Sequence, residues 1–254
     1  MSCKIAITGK GGVGKTTIAG LITLQLIARG NKPVLAVDAD PNSCLDAALG
    51  VSVEKSVGSV REEAREAAGK GMSSGISKQQ LIELKIAESL VEAEDFDLIA
   101  MGRPEGPGCY CYANNVLKSV LSEITSQYPY TVLDNEAGLE NLSRRIVQNV
   151  DVMVVVTDPS QKGLETVSRL HTLANEMGIK YNKLAIVVNR LRSENLPNRA
   201  SEISKQVGAD FLIGLPDDPE IANAAENAES LKSLSNGNRI AKEVDRFIGK
   251  LVEI

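Results

Sequence analysis

The sequence predicts an α/β fold, a doubly wound, mostly parallel sheet flanked by helices on both faces. Two observations carry this. Short aliphatic runs alternate with helical patterns along the whole chain. The core they would build must be aliphatic, because 43% of the 254 residues are hydrophobic but only 3% are aromatic. Runs of Val, Ile and Leu too short for helices suit strands covered on both faces, as in a parallel sheet. With no internal repeat and no low-complexity linker, residues 1–254 read as a single domain.

The elements follow in order. CKIAIT, ending at Thr8, is the first strand. A glycine-rich turn leads into KTTIAGLITLQLIARG, a helix whose terminal Gly30 suits the left-handed position after a helix end. KPVLAVDAD is a strand that runs out into acids. Segment 56–79, SVGSVREEAREAAGKGMSSGISKQ, is charged and broken by glycine and serine; it reads as a surface helix and a loop, either a partner surface or a solvated insertion. KQQLIELKIAESLVEA is helical, and FDLIAM, YTVLD, VDVMVVVTD, NKLAIVVN and ADFLIGLP are the remaining strands. The final helix, NRIAKEVDRFIGKLVEI, sets Ile240, Val244, Phe247, Ile248 and Leu251 on one face with mixed charges elsewhere. That pattern favours packing on the core over docking on a membrane. Right-handed crossovers would gather the carboxyl ends of the strands at one edge, where the working site is expected.

Composition narrows the function. A net charge of −5 argues against a nucleic-acid-binding surface. The start of the chain lacks a basic segment followed by an apolar one, and no run approaches the length of a membrane span, so a cytoplasmic protein with no membrane partner is expected. Its four cysteines are then free thiols or ligands rather than a disulfide framework.

The strongest motif is GKGGVGKTT at 9–17, a phosphate-loop pattern through Gly9, Gly14, Lys15 and Thr16. It stands between a strand and a helix, as the mechanism requires. Gly9, Gly11, Gly12, Val13, Gly14 and Thr17 supply backbone that can turn N–H groups toward phosphate oxygens; Lys15 would reach the β- and γ-phosphates, and Thr16 would hold Mg²⁺. Lys10 is an additional cation at the loop entrance, or a solvated side chain. DADPNS, after the second strand, places Asp38 and Asp40 at the same edge, although residues 38–43 could also be a simple capping cluster for the next helix.

KGGVGKTT resembles the deviant Walker A sequence of the MinD, ParA and nitrogenase iron-protein superfamily, the SIMIBI class of P-loop NTPases. The resemblance implies ATP and ADP as ligands, with two chains closing around nucleotide. Lys10 would be the lysine that reaches the partner's nucleotide and steadies charge on the transferred phosphoryl group. Asp40 would orient the attacking water and Asp38 would lie near the Mg²⁺ shell, as switch I. Asp134, ending YTVLD, is similar to a Walker B aspartate that holds the magnesium, with NEAG beyond it as switch II. Asn189, Arg190 and the loop Leu215, Pro216 and Asp217 resemble adenine-contacting positions.

The cysteines divide. Cys3 and Cys44 read as small buried side chains near strand and helix starts, and the single histidine, His171, as a helix-surface residue. Cys109 and Cys111, in GPGCYCYANN after the strand FDLIAM, present two soft donors at the working edge, half of a tetrahedral site. The other half would come from the same loop of a second chain across a two-fold axis, giving a Cys₄ site in a homodimer. A redox pair or inert turn cysteines are the other readings. GRPEGPGCYCYANNVLK, with DADPNS, LDNEAGLENLSRR and VVTDPSQKGLET, is similar to the accessory ATPases of the CooC and AcsF types. That resemblance implies an ATPase and metallochaperone with Ni²⁺ or Zn²⁺ at the bridging Cys₄ site. Its client would be a nickel enzyme, carbon monoxide dehydrogenase or acetyl-CoA synthase. The rival readings are a MinD- or ParA-like positioning or partition ATPase and an iron–sulfur-bridged reductase or scaffold protein.

Overall fold

In the computed structural model, residues 2–40, 44–59, 63, 78–102, 121–139 and 149–252 are described below. Eight strands among them form one sheet: β1 (Cys3–Gly9), β2 (Val34–Asp38), β3 (Leu90–Glu92), β4 (Phe96–Ala100), β5 (Tyr130–Asp134), β6 (Asn149–Thr157), β7 (Lys180–Leu191) and β8 (Phe211–Pro216). Their spatial order is β3-β4-β2-β5-β1-β6-β7-β8. Every pairing is parallel except that of β3 with β4. The chain thus winds outward from β1 in both directions, so the crevice at the carboxyl end of β1 is the topological switch point.

The helices are α1 (Lys15–Ala28), α2 (Leu45–Leu49), α3 (Lys78–Ala87), α4 (Gln161–Glu176), α5 (Asn198–Val207), α6 (Pro219–Glu226) and α7 (Arg239–Val252), with a 3₁₀ turn at Leu231–Ser233. One correction concerns KQQLIELKIAESLVEA: the helix stops at Ala87, and Leu90–Glu92 forms an antiparallel edge strand on β4. Leu90 and Val91 answer Ile99 and Leu98 across that ladder, so a β partner outcompetes continuation of a weak helical pattern.

Alternation along the strands divides the core in two. Ile5, Ile7, Val34, Ala36, Val132, Val154 and Val187 face α1 and α7, while Ala6, Leu35, Val37, Leu133, Val155 and Ile186 face α4 and α5. The anticipated apolar stripe of α7 is entirely buried, with Ile240, Val244, Phe247, Ile248 and Leu251 all packed in the first of these layers. Phe247 meets Phe211 of β8 edge to face at 5.6 Å between ring centroids. Complete burial of a side chain of this size contributes about 1.5–3 kcal/mol. No helix among the described residues is long and apolar enough to cross a membrane.

Candidate functional site

The phosphate loop leaves β1 at Gly9, whose φ of 149° and position against β6 require glycine: a Cβ there would fall onto the carbonyl oxygen of Val156. Gly14 is left-handed at φ 94° and serves as the N-cap of α1 without a side-chain cap. The first turn of α1 contains no acid either, so its N-terminal dipole and N–H groups face a cradle suited to an anion. Lys15 is only 8% exposed, and its Nζ donates to the Lys10 carbonyl at 3.3 Å. The loop therefore folds around its own lysine.

Asp38 and Asp134 close the adjoining strands β2 and β5 in direct register. Their environments differ. Asp38 Oδ1 accepts from the Asp40 amide at 3.0 Å, and Oδ2 accepts from the amides of Cys44 at 2.9 Å and Leu45 at 3.0 Å. Asp38 thereby caps the start of α2, and the capping-cluster reading of this stretch describes its hydrogen bonds. Burial raises the Asp38 pKa, and these three amides oppose that rise. Asp134 is 1% exposed, and neither carboxylate oxygen has a hydrogen-bond partner within 3.5 Å among the described residues, although the Thr16 hydroxyl lies close enough to influence it. Burial pushes its pKa up to about 7; the Thr16 hydroxyl and the Lys15 ammonium pull against that rise, and the charges of Asp38 and Asp40 add to it.

An orphaned buried carboxylate is costly unless a cation joins it. The donors around Asp134, a carboxylate and the Thr16 hydroxyl beside a phosphate cradle, are all oxygen. That set fits Mg²⁺, which favours a few hard protein oxygens together with phosphate and water.

The segment after β5 is tied to β1. Asn135 donates its backbone N–H at 3.1 Å and its Nδ2 at 2.9 Å to the Ile7 carbonyl, Gly138 N–H donates to the Gly9 carbonyl at 3.1 Å, and the Thr8 hydroxyl donates to the Gly138 carbonyl. Movement at the phosphate loop and at 135–138 is therefore mechanically linked. Lys10 is exposed and lies close enough to Asp158 that its charge, with that of Arg190, helps hold the Asp158 carboxyl below the usual range; the leading cause is the hydrogen bond from Ser160.

A cavity of about 420 Å³ opens beside the loop, lined by Gly14, Thr17, Ile18, Asn189, Arg190, Pro216, Asp217 and Asp218, with Ile221, Ala222, Ala225 and Glu226 of α6 as its far wall and Ile240 of α7 beside them. Asn189, Arg190, Pro216 and Asp217 from the sequence reading thus come together around one space. Leu215 is buried at 1% exposure and supports the wall from behind. Asn189 Nδ2 donates to the Val13 carbonyl at 2.9 Å, which fixes the cavity to the phosphate loop. Helix α6 was not anticipated as a wall; PEIANAAE carries little apolar signal, although the Asp-Pro at its start is a helix-initiation signal.

Cys109 and Cys111 lie outside the described residues, as do most of 56–79 and Pro41, Asn42 and Ser43. Among the described residues no cluster of three or more His, Cys, Asp or Glu could hold a metal ion. Cys3 is half-buried at the start of β1, where burial first, and then the charge of Asp151, raises its thiol pKa to about 11. Cys44 is exposed at the start of α2, contrary to the buried reading, because its backbone N–H is taken by Asp38 while α2 turns Leu45 and Leu49 inward. His171 sits on α4, partly exposed.

Comparison with known proteins agrees with this geometry. Residues 4–231 match the family model described as the CobQ/CobB/MinD/ParA nucleotide binding domain. An ATP-binding protein of Methanocaldococcus jannaschii, itself described as uncharacterized, is 40% identical over 249 residues, 98% of each chain. The carbon monoxide dehydrogenase accessory protein CooC of Rhodospirillum rubrum is 32% identical over 201 residues, 75% of each chain. A ParA family ATPase from Chlorobium tepidum shares the fold, with a TM-score of 0.73 at 19% identity over 98% of both chains.

Proposed function

The chain belongs to the CobQ/CobB/MinD/ParA nucleotide-binding family, and from that membership we propose that it is a Mg-ATP-hydrolysing, dimerising metallochaperone that handles nickel for carbon monoxide dehydrogenase or acetyl-CoA synthase. The observation that carries the ATPase part is the pair of orphaned, buried oxygens on Asp134 beside the open N-terminus of α1. Lys15 and the backbone of 11–16 would hold the phosphates, and Thr16 and Asp134, with Asp38 behind, would hold Mg²⁺. Bound there, the ion would draw charge from the phosphoryl oxygens. Asp40 would orient the attacking water, and Lys10 would cross to the partner's nucleotide. The cavity between Asn189 and α6 would take the base.

The nickel part rests on Cys109 and Cys111, two thiols separated by one residue, and on the likeness to the accessory protein of Rhodospirillum rubrum. Two such pairs across a dimer axis would make a tetrahedral thiolate site for Ni²⁺ or Zn²⁺. A membrane-positioning role for α7 is disfavoured, because its apolar face is already buried in the core.

Metal analysis by mass spectrometry with light scattering tests the reading, with and without ATP. The expected result is one nickel or zinc per two chains, lost in the variant Cys109→Ser with Cys111→Ser while monomer nucleotide binding persists. Undiminished metal in that variant would overturn the cysteine assignment.

A further inference from the structure

The far wall of the cavity is a short helix at the surface, and one side chain outside the cavity holds it. Asn238 is 4% exposed and stands immediately before α7. Its Oδ1 accepts from the Ala241 amide at 3.0 Å, the N-cap bond of α7. Its Nδ2 donates in the other direction, to Glu220 Oε2 at 2.9 Å and to Asp218 Oδ1 at 3.2 Å. Asp218 is itself the N-cap of α6, and the same Oδ1 accepts from the amides of Glu220 and Ile221, both at 3.0 Å. Ser235 completes the bridge with its backbone N–H on Glu220 Oε1 and its hydroxyl on Oε2.

A single amide thus joins the N-termini of two helices with opposite anchorage. Helix α7 is bound into the core by five apolar residues, and it packs on α1, the helix that begins at the phosphate loop. Helix α6 fully buries Ala224 alone among its eight residues and adds only a partly buried Ile221 to the core, a much lighter apolar anchorage. The polar contacts at its start therefore carry a large share in setting where Ala222, Ala225 and Glu226 stand.

We infer that Asn238 is a positioning residue for base recognition, holding the α6 wall of the cavity at a fixed distance from the phosphate loop through its bridge to Glu220 and Asp218. The inference rests on the base-site reading given above. Asn238 does not itself line the cavity and reaches its wall through Asp218, which does, and through Glu220. The substitution Asn238→Asp separates its two duties: a carboxylate still caps α7, but it can no longer donate to Glu220 and Asp218 and repels both.

The test compares ATP with inorganic tripolyphosphate, which has the phosphates but no base, by calorimetric titration in the presence of Mg²⁺, alongside steady-state turnover. In Asn238→Asp the affinity for ATP is expected to fall about tenfold, the effect of losing a charge-assisted hydrogen bond. Tripolyphosphate affinity should hold, and KM should rise with kcat unchanged. Adding Glu220→Gln returns a donor to the bridge with its polarity reversed and should restore part of the ATP affinity. Unchanged circular dichroism and an unchanged tripolyphosphate constant show that the chain is folded. If wild-type protein prefers ATP but Asn238→Asp binds it equally well, or if both ligands weaken together, the role of Asn238 is overturned and the base site stands. If wild-type protein binds tripolyphosphate as tightly as ATP, the base site falls and this inference falls with it.

Discussion

The phosphate loop and the cavity beside it are built on opposite principles. Around the phosphate loop the chemistry is buried: Asp38 and Asp134 are buried at the ends of central strands, and Lys15 is buried at the start of α1. Around the cavity, Arg190, Asp217, Ala222, Ala225 and Glu226 are exposed, and the wall is a helix held by polar bonds at one end. Charges placed in the core need rigid support and change state sharply when a ligand arrives. A pocket whose charged groups, Arg190, Asp217 and Glu226, stand in solvent can select a ligand while storing little electrostatic strain. Substitutions around the loop should therefore alter turnover and pH behaviour, whereas those around the cavity should alter affinity alone.

The largest expected effect separates hydrolysis from binding. Lys10→Ala and Asp40→Ala should each lower ATP turnover by about a thousandfold or more, the range seen when a charge-stabilising finger or a water-positioning group is removed from a phosphoryl-transfer site. Phosphate release measured beside ATP titration would check this, and wild-type turnover in either variant would show the assigned roles to be wrong.

Next comes Asp134. Between its ordinary pKa of 3.8 and the folded value of about 7, the folded chain holds a proton that the unfolded chain has released. Stability of the nucleotide-free protein should therefore fall as pH rises from 4 toward 7 and remain low above that. Asp134→Asn removes the penalty, and at pH 8 it should stabilise the nucleotide-free chain by up to about 4 kcal/mol, a gain that vanishes near pH 4. Urea unfolding across a pH series reads this directly. The same variant should lose the stabilisation that Mg-ATP gives the wild type.

Smallest is Ile221→Ala in the α6 wall. Trimming an apolar contact there should weaken ATP about three- to tenfold and leave tripolyphosphate binding and kcat untouched. A fall in kcat would break the proposed division between loop and cavity.

The same division explains how much was legible in the sequence. Gly9, Asp38 and Asp134 stand at strand ends that hydrophobic alternation marks clearly, and Lys15 follows in the phosphate-loop motif, so their convergence at one sheet edge could be read from pattern and topology. Seven of the eight strands in the sheet were recognisable for the same reason. Leu90–Glu92 was not, because three residues after a helix carry no period of their own. Asn189, Arg190, Pro216 and Asp217 could be named, but α6 and its support by Asn238 depend on contacts across 18 and 20 positions of sequence between side chains that look like ordinary surface residues. The choice between a capping and a metal-related Asp38 was likewise invisible: its two oxygens are committed to three amides only once α2 has folded against them.

The 3.3 Å bond from Lys15 Nζ to the Lys10 carbonyl has a consequence for how a ligand is met. An ammonium carries three protons, so Lys15 can keep that carbonyl and still have two to offer an anion. The bond uses the backbone of Lys10 and leaves its exposed side chain unconstrained. One lysine of the loop is thus aimed inward by the loop itself before any ligand arrives, while the other stands in solvent, and a charge already held in place loses little freedom when it is used.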